Sequence, residues 1–178
     1  DRVELDTEAY QAEVGALVTR RLSARSVPLA AAEGRVLADD VLSPVAMPLF
    51  TNSAMDGFAV RHADVVVGQP LRVVAVVAAG DGTDPAFGTG ECVRIMTGAP
   101  LPSSADTVVP VELTTPGTDE QSVVVLELPP AGRHVRRPGD DLPEGALLGA
   151  AGEVVTPGRL ALLTAVGLTE VAVVRRPI

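Results

Sequence analysis

Apolar residues at helical spacing mark the first element of the chain. Those that share one helix face, at steps of three and four, are Tyr10, Val14, Leu17 and Val18. Asp6 stands just before this run and can cap the first turn. The pattern predicts a helix from Asp6 to about position 22, with its apolar face packed against other parts of the chain.

The middle of the chain alternates between short valine-rich runs and clusters of turn residues. The runs occupy positions 71–79, 91–95, 107–113 and 122–128. Clusters rich in Gly, Pro, Asp and Thr separate them, for example at 80–85 and 115–119. Regularly spaced short strands with such turns predict a β-rich, barrel-like unit over residues 50–138.

The last third contains the helix with the clearest signals. Thr156 can act as the N-cap, Pro157 suits the first helical position, and Gly167 ends an apolar body at 160–166. A strand at 170–174 follows. Helical segments on both sides of a β-rich middle predict a mostly β, α+β fold. Residues 1–49 and 139–178 would form a discontinuous first domain, and residues 50–138 the domain inserted into it.

Composition narrows the classes of function. The net charge is −9, aromatic residues make up 2%, and all 14 basic residues are Arg. An acidic chain with few stacking side chains is a poor candidate for nucleic-acid binding. The single cysteine, Cys92, lies in an alternating strand pattern and is interpreted as a packed thiol. No apolar run is long enough to span a membrane, so we expect a cytoplasmic protein with no membrane partner.

A small polar stretch at 51–57 is the first candidate for chemistry. Asp56 precedes Gly57, with the hydroxyl of Ser53 just upstream. A carboxylate on a tight turn can present oxygen ligands, and glycine lets the backbone approach closely. The alternative is an ordinary turn in which Asp56 bonds only to its own backbone.

A second candidate lies where the strand at 91–95 ends. Thr97 offers a hydroxyl, and Gly98 permits close approach of the backbone to an anion. An ordinary hairpin turn is the alternative interpretation.

Charged residues at 136–141 form the third candidate. Arg136 and Arg137, with Arg133 just upstream, suit a phosphate or oxyanion, although solvated charges at a strand edge are an equal alternative. Asp140 and Asp141 follow, and neighbouring side chains on an extended chain point in opposite directions. Only one of this pair is therefore expected to join Asp56 in holding Mg²⁺ beside a phosphate-bearing ligand.

Four segments together resemble the MoeA/gephyrin family of molybdopterin molybdenumtransferases. They have the order and spacing found in that family, and they are Asn-Ser-Ala-Met-Asp-Gly-Phe-Ala-Val at 52–60, Arg-Ile-Met-Thr-Gly-Ala-Pro at 94–100, Arg-Arg-Pro-Gly-Asp-Asp at 136–141, and the helix and strand over 160–174. The similarity extends over nearly the whole chain.

The resemblance implies an architecture. Members have an elongated first domain built from both ends of this region and an inserted β-rich second domain. A third, molybdopterin-binding domain and a small β domain follow. The chain stops directly after a strand and an Arg pair, so we expect it to be the two-domain N-terminal part of a longer protein.

The resemblance also implies an activity and its partners. Family enzymes insert molybdenum from molybdate into adenylated molybdopterin, release AMP and use a divalent metal such as Mg²⁺. Their site lies between the second domain of one subunit and the third domain of another, so a homodimer is expected. A molybdopterin-adenylating protein or domain is the expected source of the substrate. The two domains alone are expected to be inactive.

Roles for individual residues follow from the same resemblance. Asp56 and Asp141 would be acidic residues of the site that position Mg²⁺ or the ligand, and Thr97 would contact an anion. The cofactor-binding residues would be Ser53, Gly98, Arg136 and Arg137. Two departures stand out: Phe58 occupies a position where many relatives carry Tyr, and Asp140 one where some carry Glu. The different-class alternative is a non-catalytic interaction module, as in gephyrin-like scaffolds.

Overall fold

The computed structural model describes residues 6–17, 22–119 and 121–175. The chain divides into two compact units. Unit 1 consists of Asp1–Ser43 and Ala146–Ile178, and unit 2 is Pro44–Gly145. The predicted boundaries differ, because residues 44–49 and 139–145 belong to the inserted unit. These two segments are joined by a bridge between Met47 and Leu142, which keeps them together with unit 2.

The described residues are mostly strands, with two α-helices. Helix α1 is Thr7–Leu17 and helix α2 is Pro157–Ala165. The strands are β1 Ala24–Pro28, β2 Val41–Leu42, β3 Asn52–Ser53, β4 Gly57–Val60, β5 Pro70–Val77, β6 Glu91–Ile95, β7 Thr107–Pro110, β8 Thr114–Pro116, β9 Ser122–Val125, β10 Val135–Arg136, β11 Leu147–Gly149 and β12 Glu170–Val174. Neither described helix is long and apolar enough to cross a membrane.

Unit 1 joins the two ends of the chain through antiparallel pairs. Strand β1 pairs with β12, and β2 pairs with β11. The capping prediction for α2 is confirmed: the Thr156 hydroxyl accepts the Arg159 N–H at 3.3 Å, and Pro157 begins the helix. Leu163 of this helix is fully buried. The terminal segments of unit 1 therefore share one core.

Helix α1 corrects one expectation. Asp6 does cap it, since its Oδ1 accepts the Ala9 N–H at 2.7 Å. The predicted packing of its apolar face is wrong for the described residues, because the helix has no buried residue and Leu17 is 80% exposed. Spacing creates an apolar face but does not supply an element to cover it. Val18 and the helix end predicted near position 22 involve residues outside those described, 18–21.

Unit 2 is built on one six-stranded sheet that curls into a half-barrel. Its strand order is β7-β4-β6-β5-β9-β8, and only the β5–β6 pair is parallel. The predicted strand at 107–113 is shorter than expected, because β7 stops at Pro110 and a 3₁₀ turn follows. Strand β3 lies apart from this sheet and pairs with β10.

Both faces of this sheet are covered by apolar side chains. One cluster contains Phe58, Val60, Leu71, Cys92, Val109, Val123 and Val125. The other contains Ala59, Val77, Phe87, Val93, Ile95, Ala99 and Val108. Burial raises the pKa of the Cys92 thiol to about 12. The predicted packed thiol is confirmed, since Cys92 is buried. Alternate residues of β4 and of β6 belong to the two different clusters.

Candidate functional site

Two segments that are 41 residues apart meet at the carboxylate of Asp56. Its Oδ1 accepts the backbone N–H of Thr97 at 2.7 Å and the Thr97 hydroxyl at 2.7 Å. Both residues are exposed. Both donors of Thr97 thus bind the protein's own carboxylate, whereas the sequence predicted a contact to a ligand anion.

Close backbone packing explains the residue types around Asp56. A Cβ on Gly57 would lie 2.1 Å from the Val109 carbonyl oxygen, so only glycine allows β4 to approach β7 at this point. Gly98 has φ +78°, and its N–H donates to the Ser53 carbonyl at 2.8 Å. The Asp56 turn and the Thr97 turn are therefore bonded to each other at two places.

Ser53 organises this turn from within. It is fully buried, and its hydroxyl donates to the Met55 carbonyl at 2.6 Å. Its backbone N–H donates to the Ala99 carbonyl at 3.0 Å. The ligand-binding roles given to Ser53 and Gly98 stay predictions, since the contacts described for both lie within the protein.

The third predicted segment reaches the same turn through β10. Arg136 is the pairing partner of Asn52 in the β3–β10 ladder, and its guanidinium forms an ion pair with Asp141. Asp140 instead accepts the Arg137 N–H at 2.7 Å. The two neighbouring carboxylates thus have different partners. Asp141 joins Arg136, and Asp140 closes a tight turn.

Sequence reasoning gave no separate role to Arg94. This residue pairs with Phe58 across β4 and β6, and its guanidinium lies 5.8 Å from the centre of the Phe58 ring. Its positive charge also helps to lower the pKa of Asp56. The signal that could have identified it is its position on the predicted strand at 91–95, just before the Thr97 turn.

Hydrogen bonds favour the charged form of Asp56 and lower its pKa. The Thr97 N–H lowers the pKa of this carboxyl most, followed by the Thr97 hydroxyl, while desolvation opposes them and the charge of Arg94 adds to them. Asp56 is therefore an anion at neutral pH. An exposed carboxylate in this state can orient a cation or a donor group, and it is unsuited to donating a proton.

Replacing Thr97 with Val is expected to raise the pKa of Asp56 toward its ordinary value, because one of two hydrogen bonds to the charged form is lost. Carbon-detected NMR titration of the side-chain carboxyls would measure this. Asp84 is the internal control, since its pKa is lowered in the same way by Ser103. An unchanged Asp56 titration in the variant would contradict the assigned cause.

The direction of this shift also fixes its effect on folding. A carboxyl whose folded pKa lies below its unfolded value stabilises the fold above the unfolded pKa. That contribution disappears as the pH falls through the folded pKa of Asp56. Any contribution of the Asp56–Thr97 pair to stability is therefore complete at neutral pH and is lost only in strong acid.

The described residues do not form a metal cage of their own. Nowhere in them are three His, Cys, Asp or Glu side chains grouped so as to hold an ion. Protein sites for Mg²⁺ often use only one or two carboxylates and complete the shell with water and substrate phosphates. Asp56 fits such a site, because both described hydrogen bonds use Oδ1 and neither uses Oδ2.

Comparison with known proteins places this arrangement in a family. The family described as MoeA N-terminal region (domain I and II) matches residues 5–167. Molybdopterin molybdenumtransferase 2 of Mycobacterium tuberculosis is 41% identical over 156 residues, covering 85% of this chain and 38% of that protein. The molybdopterin molybdenumtransferase of Synechococcus elongatus is 40% identical over 159 residues, with 85% and 39% covered.

A solved structure agrees with the sequence matches. The crystal structure of a molybdopterin biosynthesis MoeA protein from Pyrococcus horikoshii superposes with a TM-score of 0.83 at 31% identity. The match covers 98% of this chain and 45% of that one. The chain thus spans less than half the length of these relatives. The match over residues 5–167, these relatives and the shared mostly β fold together show that the chain belongs to the MoeA family and corresponds to its N-terminal region.

Proposed function

We propose that this chain is the N-terminal part of a molybdopterin molybdenumtransferase. The full-length protein would insert molybdenum from molybdate into adenylated molybdopterin and release AMP, a step of molybdenum-cofactor biosynthesis. One observation supports this most directly: the chain matches the family over residues 5–167. The exposed Asp56 carboxylate, fixed by both donors of Thr97, is the structural feature that fits this activity. Relatives that match 85% of the chain are named for this activity.

The chemistry of Asp56 suits phosphate-containing substrates. The carboxylate is charged at neutral pH, its pKa being lowered further by its hydrogen bonds, and it can hold Mg²⁺ through Oδ2. Bound Mg²⁺ would neutralise charge on the substrate phosphates. Asp141 is the second proposed acidic residue, and it forms an ion pair with Arg136. Arg137 would add positive charge for a phosphate.

The proposal includes an assembly and a place in the cell. The full-length protein would act as a cytoplasmic homodimer and take its substrate from a molybdopterin-adenylating protein or domain. These features rest on family membership. The part beyond this chain would supply the remaining residues of the site, because relatives are more than twice as long.

Rescue of a molybdoenzyme in cells that lack this transferase tests the proposal. The full reading frame is expected to restore molybdoenzyme activity, and the 178-residue chain alone is expected not to. Expression of both products is checked by immunoblotting. Failure of the expressed full-length protein to rescue would contradict the proposed activity. Rescue by the 178-residue chain would contradict the need for further domains.

A further inference from the structure

A cavity of about 610 Å³ opens on the sheet of unit 2. Its volume lies within the range of about 300–1,000 Å³ that is typical of small-molecule sites. One wall is formed by five consecutive residues of β5, positions 72–76, and another by residues 121–123 at the start of β9. Phe58 and Arg94 also line it, whereas Asp56 and Thr97 do not.

The cavity exists because two neighbouring strands differ in length. Strand β9 pairs only with Pro70–Arg72, and the Val73 N–H makes the last contact, to the Gln121 carbonyl at 2.7 Å. Strand β5 continues to Val77, and no strand among the described residues covers it on that side. The uncovered part of β5 leaves a trough in which apolar side chains alternate with polar groups, and Val76 is 56% exposed there.

Some polar side chains that line this cavity already have a polar partner within the protein, and Arg94 differs from them. Arg72 is paired with Glu91, and the Thr114 hydroxyl donates to the Val111 carbonyl at 2.8 Å. Arg94 forms no ion pair with any described carboxylate, and its guanidinium is held over the Phe58 ring. A guanidinium that lines a pocket and has no carboxylate partner in the described part of the chain is suited to recognising an anion.

We propose that this cavity binds a small organic anion. A carboxylate or phosphate of the ligand would lie on the guanidinium of Arg94, and its apolar body would pack against Val73, Val76 and Val111. The proposal goes beyond molybdenum insertion, because it concerns a separate pocket and needs no residue outside unit 2.

Titration of the 178-residue chain with phenyl phosphate tests the proposal, with benzyl alcohol as the uncharged comparison. Amide chemical shifts are expected to change at residues 72–76 and 121–123. Benzyl alcohol is expected to bind about tenfold more weakly, because it lacks a charge-assisted bond. Arg94→Gln should weaken phenyl phosphate by about the same factor, and Arg94→Lys by less.

A charge-matched variant separates the specific effect of Arg94 from a general effect of net charge. Arg25→Gln removes an equal charge from an exposed arginine of unit 1 that does not line the cavity, and it should bind phenyl phosphate as the parent does. Equal binding of both probes, or unchanged binding by Arg94→Gln, would overturn the proposal. Shifts on adding phenyl phosphate that appear at the Asp56–Thr97 turn and not at residues 72–76 and 121–123 would also overturn it, because the anion would then bind outside this cavity. Because this measurement uses no molybdenum insertion, its result is independent of the rescue experiment.

Discussion

Asp56→Asn in the full-length protein is expected to lower the rate of molybdenum insertion about a hundredfold or more, the effect of removing one fixed electrostatic group from an active site. Asn keeps the shape of the side chain, and its Oδ1 can still accept the Thr97 N–H. It cannot carry the negative charge that Asp56 has at neutral pH. Release of AMP from adenylated molybdopterin in the presence of molybdate would measure the rate.

Asp84→Asn is the matched control for this variant. Asp84 is also exposed in unit 2, and the Ser103 N–H donates to its Oδ1 at 2.8 Å and lowers its pKa. It lies outside the Asp56–Thr97 site, so its replacement should leave the rate unchanged. Equal rates for Asp56→Asn and the parent protein, with both folded, would exclude Asp56 from the reaction and favour an interaction module.

Gly57→Ala is expected to destabilise the 178-residue chain by about 3 kcal/mol, at the upper end of overpacking effects. The added Cβ would lie 2.1 Å from the Val109 carbonyl oxygen and 2.9 Å from its carbon. These are backbone atoms of the paired strand β7, so no side-chain rotation relieves the clash. Strand β4 would have to separate from β7 next to the Asp56 turn.

Urea unfolding followed by circular dichroism would measure this loss, with Gly82→Ala as the control. A Cβ added to Gly82 would meet no atom within 4 Å, and the φ of this residue is not positive. Its replacement should therefore change the free energy of unfolding by less than about 0.5 kcal/mol. Coincident unfolding curves for the two variants would show that the β4–β7 contact tolerates a side chain.

Local sequence signals predicted where helices and strands form better than they predicted how those elements pack. Helix α2 was predictable because its cap and its first-turn proline act within a few residues of each other. The exposure of α1 was not, since burial depends on what other parts of the chain place nearby. Likewise, the inserted unit is longer at both ends than predicted, because the Met47–Leu142 bridge joins residues 95 positions apart.

For the candidate site, the sequence indicated residues that the structure brings together, but not their contacts with one another. Motif spacing indicated Asp56 and Thr97, yet it could not reveal that both Thr97 donors bind one carboxylate oxygen. Asp140 and Asp141 have different partners because residues 137–140 form a turn, and an alternating extended chain does not predict that turn. Arg94 was overlooked because its significance arises from a partner strand.

The antiparallel ladder between β1 and β12 has a consequence for the order of folding. It pairs Ala24 with Val174, and the Ser43 N–H donates to the Ala146 carbonyl at 2.8 Å across the whole insertion. Closing a disordered loop of roughly 100 residues costs about 4 kcal/mol in chain entropy. A folded unit 2 already holds its own ends together through the Met47–Leu142 bridge and so removes most of that cost. Unit 1 is thus expected to assemble after unit 2, because the folded insertion brings the segments that form β1 and β12 near each other before they pair.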